Sequence, residues 1–357
     1  MLPRRRFLAA GTLAAASSAV APPSGAQAAE LYPDERALHE LARHEGLVVS
    51  LNTAGPPASW GAQVAGFRRR YPEIDVVFNE LGSAGTVAAL DRARARPVAD
   101  TAFYYAASAA EAARRGLTAA YKPVNFERLP GAFRDADGEW SAVYALALAF
   151  IVNARLVRSV PRSWADLQRA EHRNAVVYLD PRATGIGQML CLAAAFAAGG
   201  DLEDVAPGLD YLASLHKAGN VLRVLATSPL EAFRRGEIPI WIGYEHEGLR
   251  LQREFGGDAV AVIVPAEASV AAPFAMSLVR GGPNTNAARL WFNYLMSEPG
   301  QVGFAAADLR PSVPGLDLHA DLQRSLPPAP QLRALDVVRA AARKQEIDGL
   351  WTRIAGG

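Results

Sequence analysis

Val143-Tyr144-Ala145-Leu146-Ala147-Leu148-Ala149-Phe150-Ile151-Val152, ending at Asn153, is the longest strand candidate in the chain. The turn residues Asp135-Ala136-Asp137-Gly138 precede it. Outward in both directions, short β-like runs alternate with helical ones. On the amino-terminal side Leu47–Leu51, Ile74–Phe78 and Asp100–Tyr104 read as strands. Helical patterns cover Gln63–Tyr71, about Thr86 to Ala95, and Ser108–Gly116, where glycine stops the helix. On the carboxyl-terminal side Val176–Leu179, Ile238–Gly243 and Val260–Val264 are strands, and Ser163–Leu167 is a capped helix start. A helix follows Asp180–Gly185 and runs to Ala198, and Asn286–Leu295 is helical. Leu322–Ala341 reads as a helical tail broken at Pro327-Pro328-Ala329-Pro330. The alternation predicts a layered α/β architecture. No internal repeat or low-complexity linker divides it.

The chain opens with an export address. Arg4-Arg5-Arg6-Phe7-Leu8 fits the twin-arginine pattern, an apolar small-residue run reaches Val20, and Ala26-Gln27-Ala28 is a cleavage site. Residues 1–28 are therefore expected to be a removable twin-arginine signal peptide, with an uncleaved anchor as the alternative. The mature protein would work in the periplasm. Its roughly 330 residues suffice for two cores. Half of the chain is hydrophobic, a fifth is charged and the net charge is +1, so no global field draws it to nucleic acid or anionic lipid. One cysteine, Cys191, cannot make an internal disulfide, and its apolar surroundings suggest a buried inert thiol.

Catalytic motifs are absent. In His39-Glu40-Leu41-Ala42-Arg43-His44 the histidines are five residues apart, a turn of about 140° around a helix, so they leave on different faces. Gly82-Ser83-Ala84-Gly85 lacks the spacing of a nucleophile elbow, and Gly185-Ile186-Gly187 lacks the third glycine of a dinucleotide fingerprint. There is no Walker lysine and no paired Cys/His set. No cofactor is implied.

What is present is binding chemistry. Gly82-Ser83-Ala84-Gly85-Thr86 and Arg182-Ala183-Thr184-Gly185-Ile186-Gly187 each lead into a helix. Unpaired N–H groups and the positive dipole end, joined by the Ser83, Thr86 and Thr184 hydroxyls, make each a cradle for an anionic oxygen. The alternative is self-capping, in which the hydroxyl serves only its own helix. A third segment, Ile238–Gly243, delivers Tyr244, Glu245, His246 and Glu247 to a strand end, where α/β folds place ligands. That cluster offers acceptors for a cation, an aromatic face, or His246 and Glu247 as metal ligands. It is equally readable as a solvated turn.

In this order, these segments resemble a periplasmic solute-binding protein of an ABC importer. The resemblance is to the branch that holds ferric-iron, thiamine, polyamine and phosphonate binders. It rests on Leu38–Leu51, Leu81–Thr86, Ala99-Asp100, Asn153, Ser163–Leu167, Asp180–Gly187, Gly236–Tyr244, Pro283-Asn284, Leu295–Gln301 and Arg310-Pro311, nearly the whole mature chain. It implies a two-lobed periplasmic-binding-protein fold of α/β class with crossing hinge strands near Ala147–Asn153 and Ala272–Ser277. Lobe one would be 29–148 plus 275–315, lobe two 154–270, and 316–357 a carboxyl-terminal helical segment. Ser83 would face the cleft from the first lobe, and Thr184, Gly185, Tyr244 and Glu245 from the second. Asn52, Thr53, Tyr104 and Tyr144 would be further wall residues. Trp60 and Trp241 would either stack on the ligand or pack in the core.

Ferric binders of the branch carry adjacent tyrosines where this chain has His246-Glu247. The leading expectation is thus a small anionic or zwitterionic solute, captured by a monomer and handed to a membrane permease. Ferric iron, an exported enzyme with Glu245 or His246 as base, and a solute-sensing adaptor are the alternatives. Alanine at Thr184 or Tyr244 should weaken binding with stability nearly unchanged.

Overall fold

A computed structural model of the chain describes residues 29–53, 60–317, 322 and 325–355. The leader, its cleavage site and most of the loop after Asn52 lie outside the described residues. The first part of the chain forms α1 (Glu35–Glu45), β1 (Leu47–Leu51), α2 (Gly61–Arg70), β2 (Asp75–Phe78) and α3 (Gly82–Arg92). Then come β3 (Thr101–Tyr105), α4 (Ala106–Arg114), β4 (Thr118–Ala119) and the long β5 (Ser141–Asn153). The middle part comprises β6 (Val176–Leu179), α5 (Gly185–Ala197), α6 (Ala206–Lys217), β7 (Val221–Leu225) and α7 (Leu230–Arg234). It continues through β8 (Ile240–Tyr244), α8 (Glu245–Phe255) and β9 (Val260–Ile263). The chain returns along β10 (Ser269–Val279) to α9 (Thr285–Met296), α10 (Glu298–Ala306) and β11 (Arg310–Pro311). It finishes with β12 (Leu332–Ala334), α11 (Val337–Ala341) and α12 (Lys344–Ala355).

β5 organises everything else. Its strand neighbours change along its length, with Ser141–Ala147 pairing antiparallel to β10 and Leu148–Asn153 pairing antiparallel to β8 and β9. The strand order β2-β1-β3-β10-β5-β8-β6-β7 is therefore two sheets joined through one strand. Every β5 side chain except the last is buried. Leu148, Phe150 and Val152 pack with α5 and α6, whereas Ala149 and Ile151 pack with Phe233 and Trp241 on the other face. Both faces are covered, so the sequence shows an unbroken apolar run instead of alternation. Ala142–Leu146 joins a third cluster with Trp60, Phe67, Trp291 and Phe304.

Two expectations need correction. α3 starts at Gly82, so Gly82–Gly85 is its first turn and not a loop before it. The reason is an outside cap: Asn52 Oδ1 accepts from the N–H groups of Leu81 (3.1 Å) and Gly82 (2.8 Å). The tail is not helical throughout, because Leu332–Ala334 adds a parallel strand to Ser269–Ala271 of β10. Trp60 and Trp241, at 3% and 1% exposure, are core residues and not platforms for a ligand.

α5 and α6 approach closely at Gly208, where an added Cβ would lie 2.3 Å from the Ala195 nitrogen and 2.7 Å from the Cys191 carbonyl oxygen. Backbone cannot yield as a side chain does. Gly208→Ala is expected to destabilise the fold by about 3 kcal/mol, read as a lowered urea midpoint with unchanged slope. An unchanged midpoint would show that the two helices separate freely.

Candidate functional site

The ends of β3 and β6 border the site and the end of β8 lies near Tyr105; β3 and β8 run directly into a helix, β6 through a short loop. β3 ends at Tyr105, the residue before α4; β6 leads through Asp180–Thr184 into α5; β8 ends at Tyr244, the residue before α8. Helix starts leave N–H groups unpaired at just these points.

On the first side, Ser83 in the opening turn of α3 accepts a hydrogen bond from the Tyr105 N–H (3.0 Å). Asn52, at φ +59°, donates from Nδ2 to the Phe103 carbonyl (3.0 Å) while capping α3. Its amide is thus a structural clamp, not a ligand contact. Thr53 is fully buried with its hydroxyl 2.6 Å from that of Ser50. Thr86 is buried as well, and its hydroxyl donates to the Gly82 carbonyl (2.9 Å). Strand alternation sends Tyr104 into the core at 0% exposure. The following residue, Tyr105, reaches the cavity in its place. The sequence expectation ended the strand one residue early, at Tyr104, which the structure buries.

On the second side, Thr184 accepts from the Gly187 N–H (3.1 Å) and donates to the Asp180 carbonyl (3.0 Å). Self-capping, the alternative for this hydroxyl, is what occurs. Alanine at Thr184 therefore removes a cap worth about 1 kcal/mol and is not silent in stability. Gly185, exposed at the first position of α5, lines the cavity described next, and its N–H has no hydrogen-bond partner among the described residues. Between these sides lies a cavity of about 230 Å³ lined by Tyr105, Ala107, Thr184, Gly185, Gln188 and Met189, among others. Arg182 stands at its edge, held by Asp180 (2.6 Å).

The third segment divides its roles. Tyr244 is largely buried, and burial pushes its phenol up, helped by nearby Tyr105, Glu247 and Tyr144. Tyr144 stacks on Phe274 (5.4 Å between ring centroids) within the aromatic cluster under the site. Glu245 is fully buried. It makes an aligned hydrogen bond from Arg310 Nη2 (2.8 Å) and a close ion contact to Arg310 Nε (2.6 Å). Burial raises its pKa, making the carboxyl a weaker acid, and Arg310 opposes the shift. With its carboxylate engaged in this way, Glu245 is free neither to bind an amine nor to act as a base. Arg310, which stood in the motif but carried no assigned role, is the partner that composition alone could not reveal.

His246 and Glu247 are both shifted by burial, in opposite senses. The histidine is lowered from 6.5 to about 4, with Asp308 and Arg250 as smaller influences. The carboxyl is raised from 4.5 to about 7, against a lowering contact with the Tyr244 backbone and Arg250. Among the described residues no group of three or more His, Cys, Asp or Glu side chains is placed to hold a metal ion.

The sequence matches the family of bacterial extracellular solute-binding proteins over residues 98–340. The chain belongs to that family. A putative 2-aminoethylphosphonate-binding periplasmic protein of Salmonella typhimurium is 27% identical over 234 residues, 64% of this chain and 66% of the relative. Among solved structures, the periplasmic binding protein AfuA from Actinobacillus pleuropneumoniae, with exogenous fructose-6-phosphate bound, superposes with a TM-score of 0.64. It is 21% identical, over 87% of this chain and 98% of that one. Ferric iron-binding protein A of Mannheimia haemolytica, in an open conformation, gives a TM-score of 0.68 at 16% identity, over 87% and 98%. The fold is thus the two-lobed α/β fold of periplasmic binding proteins. The family is one of extracellular solute-binding proteins.

The paired shifts make a pH prediction. Between pH 4.5 and about 7 the folded chain holds a proton on Glu247 that the unfolded chain has released, so this residue makes stability fall as pH rises. Between about 4 and 6.5 the unfolded chain holds a proton that folded His246 lacks, so that residue makes stability rise with pH. The slopes oppose each other in the wild type. Urea midpoints of Glu247→Gln should therefore rise with pH across the overlap, and those of His246→Gln should fall. Parallel pH profiles for both variants would refute the assignment.

Proposed function

We propose that the protein captures a small anionic or zwitterionic organic solute outside the cytoplasmic membrane and presents it to an ABC-importer permease. A phosphonate, phosphate ester or carboxylate is the class of solute. The observation that carries this reading is the cavity between Tyr105 and the start of α5, where the Gly185 N–H and the helix dipole meet an open space. Met189, Ala107 and Leu192 give it apolar walls for a short carbon body. A phosphonate and a phosphate ester also stand in the names of similar proteins. Export through a twin-arginine leader belongs to the same reading.

The mechanism is capture by closure. Contacts from both sides favour the closed arrangement, and the permease would recognise that state. Micromolar affinity is about −8 kcal/mol, within reach of several charge-assisted hydrogen bonds at about 1.5–3 kcal/mol each. Ferric iron is the second reading, favoured by the closeness of Tyr105 and Tyr144 to Tyr244. Burial pushes all three phenols up, which opposes the phenolate that iron would need. The engagement of Glu245 by Arg310 supports binding over catalysis.

Calorimetric titration and thermal shift with 2-aminoethylphosphonate, fructose-6-phosphate, thiamine and ferric citrate test the reading. An oxyanion ligand should stabilise the fold by about 2.7 kcal/mol at a hundredfold excess over Kd. Gly185→Pro removes one N–H at a helix position whose backbone suits proline, with nothing within 4 Å of the added Cβ. It should weaken that ligand about tenfold at unchanged urea midpoint. A response to ferric citrate alone, or full affinity in the proline variant, would reject the oxyanion site.

A further inference from the structure

Two walls of the cavity come from the start of α4 and from α5. The third comes from the carboxyl-terminal segment, which contributes Leu335, Val337, Ala341 and Lys344. This segment is firmly seated. β12 pairs with β10, α11 packs on α4, and α12 packs on α5 and α6. Leu335, Val337, Ile347 and Trp351 are all at 2% exposure or less. Asp336 caps α11 by accepting from the Arg339 N–H (3.0 Å).

Lys344 is aimed by this packing. Gln188 of α5 donates to Asp348 Oδ1 (3.0 Å), which fixes α12 against the helix whose first turn faces the cavity. The other oxygen of Asp348 holds the Lys344 ammonium (2.5 Å), and the same ammonium lies 3.4 Å from the Arg182 carbonyl. That carbonyl belongs to the loop delivering Thr184 and Gly185. A cation on a half-exposed side chain therefore lines the same cavity as the first residue of α5. Lys344 lies beyond residues 98–340, over which the chain matches its family.

We propose that the carboxyl-terminal segment is the third wall of the solute cavity and that Lys344 binds the acidic group of the solute alongside the Gly185 N–H. The inference rests on the cavity being the solute site. The charges around it define the ligand further. The charged residues of the lining, Arg182 and Lys344, are paired with Asp180 and Asp348 just outside it, so the lining with its counter-ions is neutral in sum. A neutral lining with one helix dipole suits a solute carrying a single net negative charge better than a dianion. An aminophosphonate, whose ammonium offsets part of the phosphonate charge, meets that condition.

The test is calorimetric titration of the full chain with 2-aminoethylphosphonate and with inorganic phosphate, using wild type, Lys344→Gln, Lys344→Arg and Gly185→Pro. The glutamine variant should bind 2-aminoethylphosphonate about tenfold more weakly, the loss of one charge-assisted hydrogen bond. The arginine variant should recover most of the affinity, and both should keep the wild-type urea midpoint. 2-Aminoethylphosphonate should bind more tightly than phosphate in the wild type. Full affinity in Lys344→Gln with lost affinity in Gly185→Pro would remove the third wall while leaving the cavity reading in place. Equal losses in the glutamine and arginine variants would also overturn the proposal, because charge would then not be what is read. Binding of neither probe by the wild type would defeat both readings together.

Discussion

A single strand that serves two sheets is the constraint from which the rest of the structure follows. β5 is thirteen residues long, about 43 Å when extended, and exchanges its hydrogen-bonding neighbours at Ala147–Leu148. A strand in that position must be apolar on both faces along its whole length, since helices or aromatic clusters cover it everywhere. It also fixes where strand ends accumulate. β3, β6 and β8 all deliver their carboxyl ends near the exchange point; β3 and β8 pass at once into a helix, and β6 does so after a short loop. The site is a by-product of that topology before any side chain is chosen.

The side chains around the site mostly serve the scaffold. Asn52 caps α3 from outside, Thr86 and Thr184 bond their own helices, and Thr53 pairs with Ser50. Glu245 is sealed against Arg310, a buried pair whose desolvation is tolerable only because both partners are present. Removing these groups from the candidate contacts leaves backbone N–H donors, Tyr105, Tyr244 and the cations at the rim. Backbone donors are well suited to the task, since they are already oriented and lose no rotamer freedom when a ligand arrives.

The same residues show what the sequence makes legible. The apolar run Val143–Val152 and the β-branched runs around it announce strands, because burial on both faces writes itself as composition. Of the two glycine-bearing helix starts, the one at Gly185 lies where the sequence places it, whereas α3 begins at Gly82, ahead of the expected Thr86. What a hydroxyl at such a start does was not visible, because its partner is decided by distances of a few tenths of an ångström. Thr184 facing a ligand and Thr184 facing Gly187 have identical local sequences. Tyr104 against Tyr105 turned on a strand end misplaced by one residue, which reverses the face. Arg310 and Lys344 left no local signal, since each acts on residues far away in sequence.

Closure gives these details a common energetic meaning. A solute that touched only one side would bind the open and closed arrangements equally and shift neither. The cavity instead draws Tyr105 from the β3–α4 connection, Gly185 from α5, and apolar residues from a tail that packs on both α4 and α5. A guest that contacts all three gains affinity only where they come together. The work of ordering the cavity is thereby coupled to the relative position of the two sheets, with β5 as the element they share.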